Sequence, residues 1–125
     1  MDYNSNELIT VTELPEYIRR ASALLSIEER KAVIDYIAAF PSAGDVMEGT
    51  GGIRKLRWGR GGKGKSGGVR VIYYYHDERI PVFLLTLFGK GEKDNLSKQE
   101  RNSLSKLVKL LAQKALLQNS VGGRQ

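Results

Sequence analysis

Between Glu48 and Asp77 the sequence has no acidic residue, yet it holds Arg54, Lys55, Arg57, Arg60, Lys63, Lys65 and Arg70. The formal net charge is +6, and this one segment carries +7, which leaves the remainder at −1. Cations gathered without counter-charges repel one another, and a polyanion such as nucleic acid relieves that repulsion. Such groups can also do chemistry on a phosphodiester. RNA brings its own nucleophile, the 2′-hydroxyl. A catalyst need only align it, stabilise the phosphorane that forms, and protonate the leaving oxygen. Arginine and lysine supply the stabilisation by charge and geometry. A lysine or tyrosine whose pKa is lowered by neighbouring cations can serve as base or acid.

Strand alternation decides which of these side chains can act together. Residues 53–58 read as a strand, and the run from Val69 to Tyr75 is strongly β-prone. Alternation places Ile53, Lys55 and Arg57 on one face and Arg54, Leu56 and Trp58 on the other. On the second strand Arg70, Ile72 and Tyr74 project together, opposite Val69, Val71, Tyr73 and Tyr75. If helices cover Leu56, Trp58, Val71 and Tyr73, then Lys55, Arg57 and Arg70 converge on an open face.

The connection between the two strands, residues 59–68, contains six glycines along with Arg60, Lys63 and Lys65. Its backbone amides and ammonium groups suit phosphate contacts. Residues 59–66 also spell the G-x-x-x-x-G-K-S pattern of a nucleotide-binding loop. That loop requires a helix at its end, whose N-terminal amides hold the phosphates. Here the pattern leads instead into Gly67-Gly68 and a β-branched, tyrosine-rich run, so nucleotide binding is rejected.

The remaining elements form a frame for these strands. Residues 7–13 read as a first strand. A helix starting near Pro15 carries Tyr17, Ile18, Ala21, Leu24 and Leu25 at helical spacing. Ser26-Ile27-Glu28-Glu29 is a capping box opening a second helix, with Val33, Ile34, Ile37 and Phe40 as its apolar face and Pro41 as its stop. After a turn at residues 76–79, residues 80–88 make a last apolar strand. Ser97-Lys98-Gln99-Glu100 is a second capping box, and Leu104, Leu107, Val108, Leu111 and Ala115 form the stripe of the helix it opens. Lys98, Arg101, Lys106, Lys109 and Lys114 lie mostly off that stripe, as a solvated face. The order β-α-α-β-β-β-α predicts an α+β domain over residues 1–118, an antiparallel meander with the helices on one face of the sheet, and a loose tail at 119–125.

Composition narrows the chemistry. The chain has no cysteine and a single histidine, which leaves little for a metal site or a Ser-His-Asp triad. His76, in a turn beside Asp77 and Glu78, reads as a surface residue. No apolar run reaches the length of a membrane span, and the first residues lack the pattern of a secretion signal, so the cytoplasm is the expected compartment.

The segment from Pro41 to Tyr75, "PSAGDVMEGTGGIRKLRWGRGGKGKSGGVRVIYYY", together with the later "LFGKGEKDNLS", resembles the HigB branch of the RelE/ParE toxin superfamily. The resemblance runs over about residues 8–115 and is most specific in the middle third. It implies a RelE-like fold and a ribosome-dependent mRNA endonuclease of a type II toxin–antitoxin module, acting without metal or organic cofactor. The implied partners are the ribosome, mRNA and a cognate antitoxin, a helix-turn-helix protein of HigA type that obstructs the basic face.

The resemblance also carries site residues. Lys55 and Arg57 match the two basic catalytic positions on the strand before the loop, and Arg70 matches the arginine opening the next strand. The family's further catalytic arginine follows a Gly-Lys pair, but here Gly89-Lys90 is followed by Gly91, which leaves Lys90 or Lys93 as the substitute. The family tyrosine beyond it falls near Leu96 or Ser97 and is absent, so Tyr74 is the expected replacement. Arg54, Arg60, Lys63, Lys65, Lys90 and Lys93 are the expected RNA and ribosome contacts. Two other readings share the fold: a non-enzymatic ParE-like inhibitor of DNA gyrase, and a plain RNA-binding module.

Overall fold

Ser26 Oγ accepts the Glu29 amide at 3.0 Å while the Glu29 carboxylate accepts the Ser26 amide at 2.9 Å, so the first expected capping box is formed. In this computed structural model residues 8–59, 68–89, 91–93 and 95–122 are described. Strand β1 (Val11–Glu13) leads through Leu14 into α1 (Pro15–Leu24), whose proline sits where its missing N–H costs nothing. Helix α2 (Ile27–Ala39) starts at the Ser26 box and ends at Phe40, ahead of Pro41. Then come β2 (Asp45–Val46), β3 (Ile53–Trp58), β4 (Val69–Tyr74) and β5 (Val82–Gly89). Helix α3 (Lys98–Gly122) begins at the second capping box, closed by Ser97 and Glu100.

The strands form one sheet in the order β1-β5-β4-β3-β2, with β1 parallel to β5 and the other pairs antiparallel. The α+β class, the helical hairpin and the meander are as the sequence predicts. Edge strand β2 is an addition, because two residues are too few to show alternation. Between β4 and β5 the ladder slips at Ile72/Tyr73, leaving Leu85 outside the pairing beside Thr86. This bulge lets residues on both sides of it keep their apolar positions facing the core.

One expectation is overturned. The helices do not share a face. Helices α1 and α2 bury Tyr17, Ala21, Leu25, Val33 and Ile37 against Val69, Val71, Tyr73, Val82, Leu84 and Leu87. Helix α3 covers the opposite face, packing Val108 and Ala112 with Ile53, Ile72, Tyr74, Phe83, Leu85 and Phe88. The central strands are apolar on both faces, with β4 buried at every position, and such strands demand cover on both sides. Helix α3 also continues through residues read as tail, as far as Gly122, and Asn119 there donates to the Arg79 carbonyl at 3.1 Å.

Candidate nucleic-acid interface

The expected face assignments on β3 and β4 are correct, and their register sets the site. Arg57 stands directly opposite Arg70, and Lys55 opposite Ile72, one diagonal step from Arg70. Opposed Cβ atoms in such a ladder lie ~5 Å apart and diagonal ones ~7–8 Å. Across the next ladder Arg70 faces Phe88 of β5, and the Lys93 ammonium lies 5.1 Å from the centre of the Phe88 ring. Lys55, Arg57 and Arg70 thus form a row over β3 and β4 on the face of α3, and Lys93, from the turn after β5, lies over Phe88, the cross-strand neighbour of Arg70. Gly68 fixes one end of the row. A Cβ there would lie 1.9 Å from the Trp58 carbonyl oxygen, so only glycine lets the start of β4 come close enough to the end of β3 to set Arg70 against Arg57.

Charge and exposure differ along the row. Arg70 is 6% exposed in a central strand, and Arg57 projects into solvent. Among the described residues neither Lys55 nor Arg57 has an ion-pair partner. Lys93 does: its ammonium contacts Glu100 of α3. That contact, with the Ser97 amide second, holds the Glu100 carboxyl below the usual glutamate range. Asp45 of the edge strand faces Lys55 in the ladder, a carboxylate residue that alternation along β3 alone could not reveal.

Two expected site residues are placed elsewhere. Tyr74 shares Arg70's face but lies four residues along the strand, roughly 13 Å away at ~3.3 Å per residue. It is 4% exposed, under α3 beside Ile53, Val108 and Ala112, and its hydroxyl pairs with His76 Nδ1 at 3.1 Å. Burial, and then the charge of Asp77, push its pKa up. That is opposite to the lowering by neighbouring cations that an acid–base role was expected to draw on.

Arg54 is on the other face of β3. Its guanidinium donates to the carbonyls of Ser42 and Gly44 at 3.0 and 2.8 Å and lies 5.9 Å over the Tyr75 ring. Tyr73 ties down the same turn, donating to the Pro41 carbonyl at 2.7 Å and accepting the Gly44 amide at 2.8 Å. These two residues fasten the entry to β2 and take no part in the row. Arg60, Lys63, Lys65 and Lys90 lie outside the described residues.

Residues that sequence reasoning missed join the row from afar. Arg20 of α1 clasps Glu92, 72 positions away, and Glu100 holds Lys93. Glu100 carried a visible signal as the closing glutamate of a capping box, three positions after Ser97. Arg20 and Glu92 carried none, because a pair so distant in sequence shows no spacing.

A sheet between a helical hairpin and a terminal helix, with a cationic row at one end of its central strands, defines a small α+β protein. A family model, the RelE toxin of the RelE/RelB toxin–antitoxin system, matches residues 42–120, more than half of the chain. The chain belongs to the RelE toxin family. Its fold is similar to that of E. coli toxin RelE, solved in the free state as a mutant with two arginines replaced by alanine. The two agree with a TM-score of 0.50 at 19% identity, over 64% of this chain and 81% of that one. Among the described residues no helix is long and apolar enough to cross a membrane.

Proposed function

We propose that this toxin is a ribosome-dependent mRNA endonuclease of the HigB type, acting in the ribosomal A site and in the cytoplasm. The observation that carries this reading is the cross-strand pair Arg57–Arg70 with Lys55 on the diagonal, where Lys55 and Arg57 make no ion pair among the described residues. In the proposed reaction the 2′-hydroxyl gives its proton to solvent water as its oxygen attacks the adjacent phosphorus, and the P–O5′ bond breaks. The products are a 2′,3′-cyclic phosphate and a 5′-hydroxyl. Arg70, fixed in the central strand, and Arg57 beside it neutralise the phosphorane oxygens, and Lys55 aligns the attacking ribose. Tyr74 lies too far along β4 to protonate the leaving oxygen, and we assign that proton to the Lys93 ammonium. Arg60, Lys63 and Lys65 grip ribosomal RNA. A helix-turn-helix antitoxin covers the basic face when the toxin is held inactive, and the complex weakens with salt if the antitoxin's contact is acidic.

Primer extension on a reporter mRNA in a reconstituted translation system tests this reading, with and without ribosomes. Discrete cuts are expected during translation alone, and they should disappear with Lys55→Ala and Arg70→Ala. Full cleavage by both variants would overturn the assignment. Uncut mRNA with unaffected translation would point to gyrase, which a supercoiling assay checks. Uncut mRNA with stalled translation would mean that the row binds the ribosome and does no chemistry.

A further inference from the structure

Lys93 comes to the row from the turn after β5. Residues 89–93 contain Gly89 and Gly91, and a Cβ at Gly91 would meet nothing within 4 Å, so packing does not restrain the backbone there and glycine leaves it permissive. The restraint on this turn comes from the opposite end of the sequence. Arg20 of α1 donates through Nε to the Leu87 carbonyl at 2.7 Å and through Nη2 to both carboxylate oxygens of Glu92 at 2.5 and 2.6 Å. The same carboxylate accepts the Gly89 amide at 2.9 Å, and the Glu92 amide donates to the Gly89 carbonyl at 3.0 Å. One guanidinium therefore grips the last residues of β5 and the turn after it together.

We propose that Arg20 and Glu92 are positioning residues for the cleavage site, holding the turn after β5 so that Lys93 stays over Phe88, the cross-strand neighbour of Arg70. An exposed ion pair alone would be a weak argument, since most contribute little. Here the carboxylate is bound by the guanidinium and by a backbone amide at the strand's end, which fixes its direction as well as its distance. The effect passes along the chain: Glu92 is adjacent to Lys93, Lys93 lies over Phe88, and Phe88 faces Arg70. Glu92 is held below the usual glutamate range, first by Arg20 and then by the Gly89 amide, so the clasp stays charged at neutral pH.

This inference rests on the endonuclease reading, and the experiment separates the two. Cleavage by translating ribosomes is measured for wild type, Arg20→Ala, Lys93→Ala and the double variant, with Lys55→Ala and Arg70→Ala alongside. Arg20→Ala is expected to lower kcat about tenfold with KM within about twofold, a loss of placement rather than of binding. In the Lys93→Ala background it should cost nothing further, because the residue it positions is already gone. A general loss of stability would cost the same factor in both backgrounds, and that result overturns the proposal. Full activity of Arg20→Ala while Lys55→Ala and Arg70→Ala are dead overturns it too and leaves the endonuclease reading standing. Full activity of those two alanine variants removes the reading and the inference together. If Arg20→Ala does not fold, Glu92→Gln runs the same cycle, since its amide oxygen can still accept the Gly89 amide while the charge that Arg20 grips is lost.

Discussion

The two ends of strand β4 carry polar side chains on the same face, both almost wholly buried, and their surroundings are opposite. At one end Arg70 stands opposite Arg57 and diagonal to Lys55, with Lys93 over the neighbouring Phe88; Glu100 holds Lys93, Glu92 holds Arg20, and Asp45 faces Lys55 in the ladder. At the other end Tyr74 closes against His76, with Asp77 bound to Arg79 through several hydrogen bonds and α3 lying across it. Asp77 is held down at about 2, chiefly by the Arg79 guanidinium and then by the Arg79 amide. Among the described residues the Tyr74 end pairs Asp77 with Arg79, while at the Arg70 end Lys55 and Arg57 make no ion pair. Balance is what a fold needs from a buried polar cluster, and surplus is what a polyanion needs from a surface, so the two ends separate support from function along one strand.

Removing Arg70 should break that contrast most severely. Arg70→Ala is expected to lower cleavage by ~10²–10³-fold, the scale for deleting one charged donor at a developing anion. Arg70→Lys should recover little of it, because an ammonium cannot present two parallel donors to a phosphate. Single-turnover cleavage on programmed ribosomes measures both. An Arg70→Lys rate near wild type would show that charge alone suffices and would weaken the case for the Arg57–Arg70 pair.

The tyrosines sharpen the same contrast by stability. Tyr73→Phe removes a hydroxyl that serves both the Pro41 carbonyl and the Gly44 amide, and leaving those groups unpaired in a buried place should cost ~1–3 kcal/mol by denaturant unfolding. Tyr74→Phe gives up one hydrogen bond to a half-exposed histidine and should cost ~0.5–1.5 kcal/mol. Its cleavage rate should stay within about twofold of wild type, the spread expected of a residue far from the reacting atoms. A large loss of cleavage from Tyr74→Phe with unchanged stability would return Tyr74 to the site and end the distinction between the two ends.

The line between legible and hidden features in the sequence runs along the same division. Strand β3 over 53–58 and both capping boxes are legible because each depends on residues within a few positions of one another, and the grouping of Lys55 and Arg57 with Arg70 follows from alternation along two neighbouring strands. Which layer α3 covers is not local. Its apolar stripe specifies a buried face and says nothing of which side of the sheet receives it, although the near-continuous apolar character of β4 and β5, broken only by Arg70 and Thr86, is a signal that both faces need cover. Arg54 and Tyr74 were misplaced for a related reason. Alternation gives the face, and neither charge nor aromatic type tells whether a side chain's partner is a ligand or a loop of the same chain. Arg54 spends its donors on the turn at 42–44, and Tyr74 on a histidine two residues away.

The smallest effect concerns the one carboxylate that touches the row from α3. Glu100 divides its oxygens: one accepts the Ser97 amide and caps the helix, the other holds the Lys93 ammonium. A substrate phosphate must compete with it for Lys93. Glu100→Gln keeps an oxygen for the cap and removes the charge, so the helix start should persist while Lys93 becomes easier to recruit. KM for cleavage should fall by about twofold with kcat little changed, in keeping with the modest value of an exposed pair. The acid limb of stability provides an independent check. A carboxyl whose folded pKa is depressed contributes stability above its unfolded value of ~4.3, and that contribution is lost as the pH falls through the lower folded value. Wild type should therefore lose a small increment over that acid range, and Glu100→Gln should lose less. A KM that rises instead would mean that Glu100 aims Lys93 at the phosphate, placing it with Arg20 and Glu92 in a single positioning device.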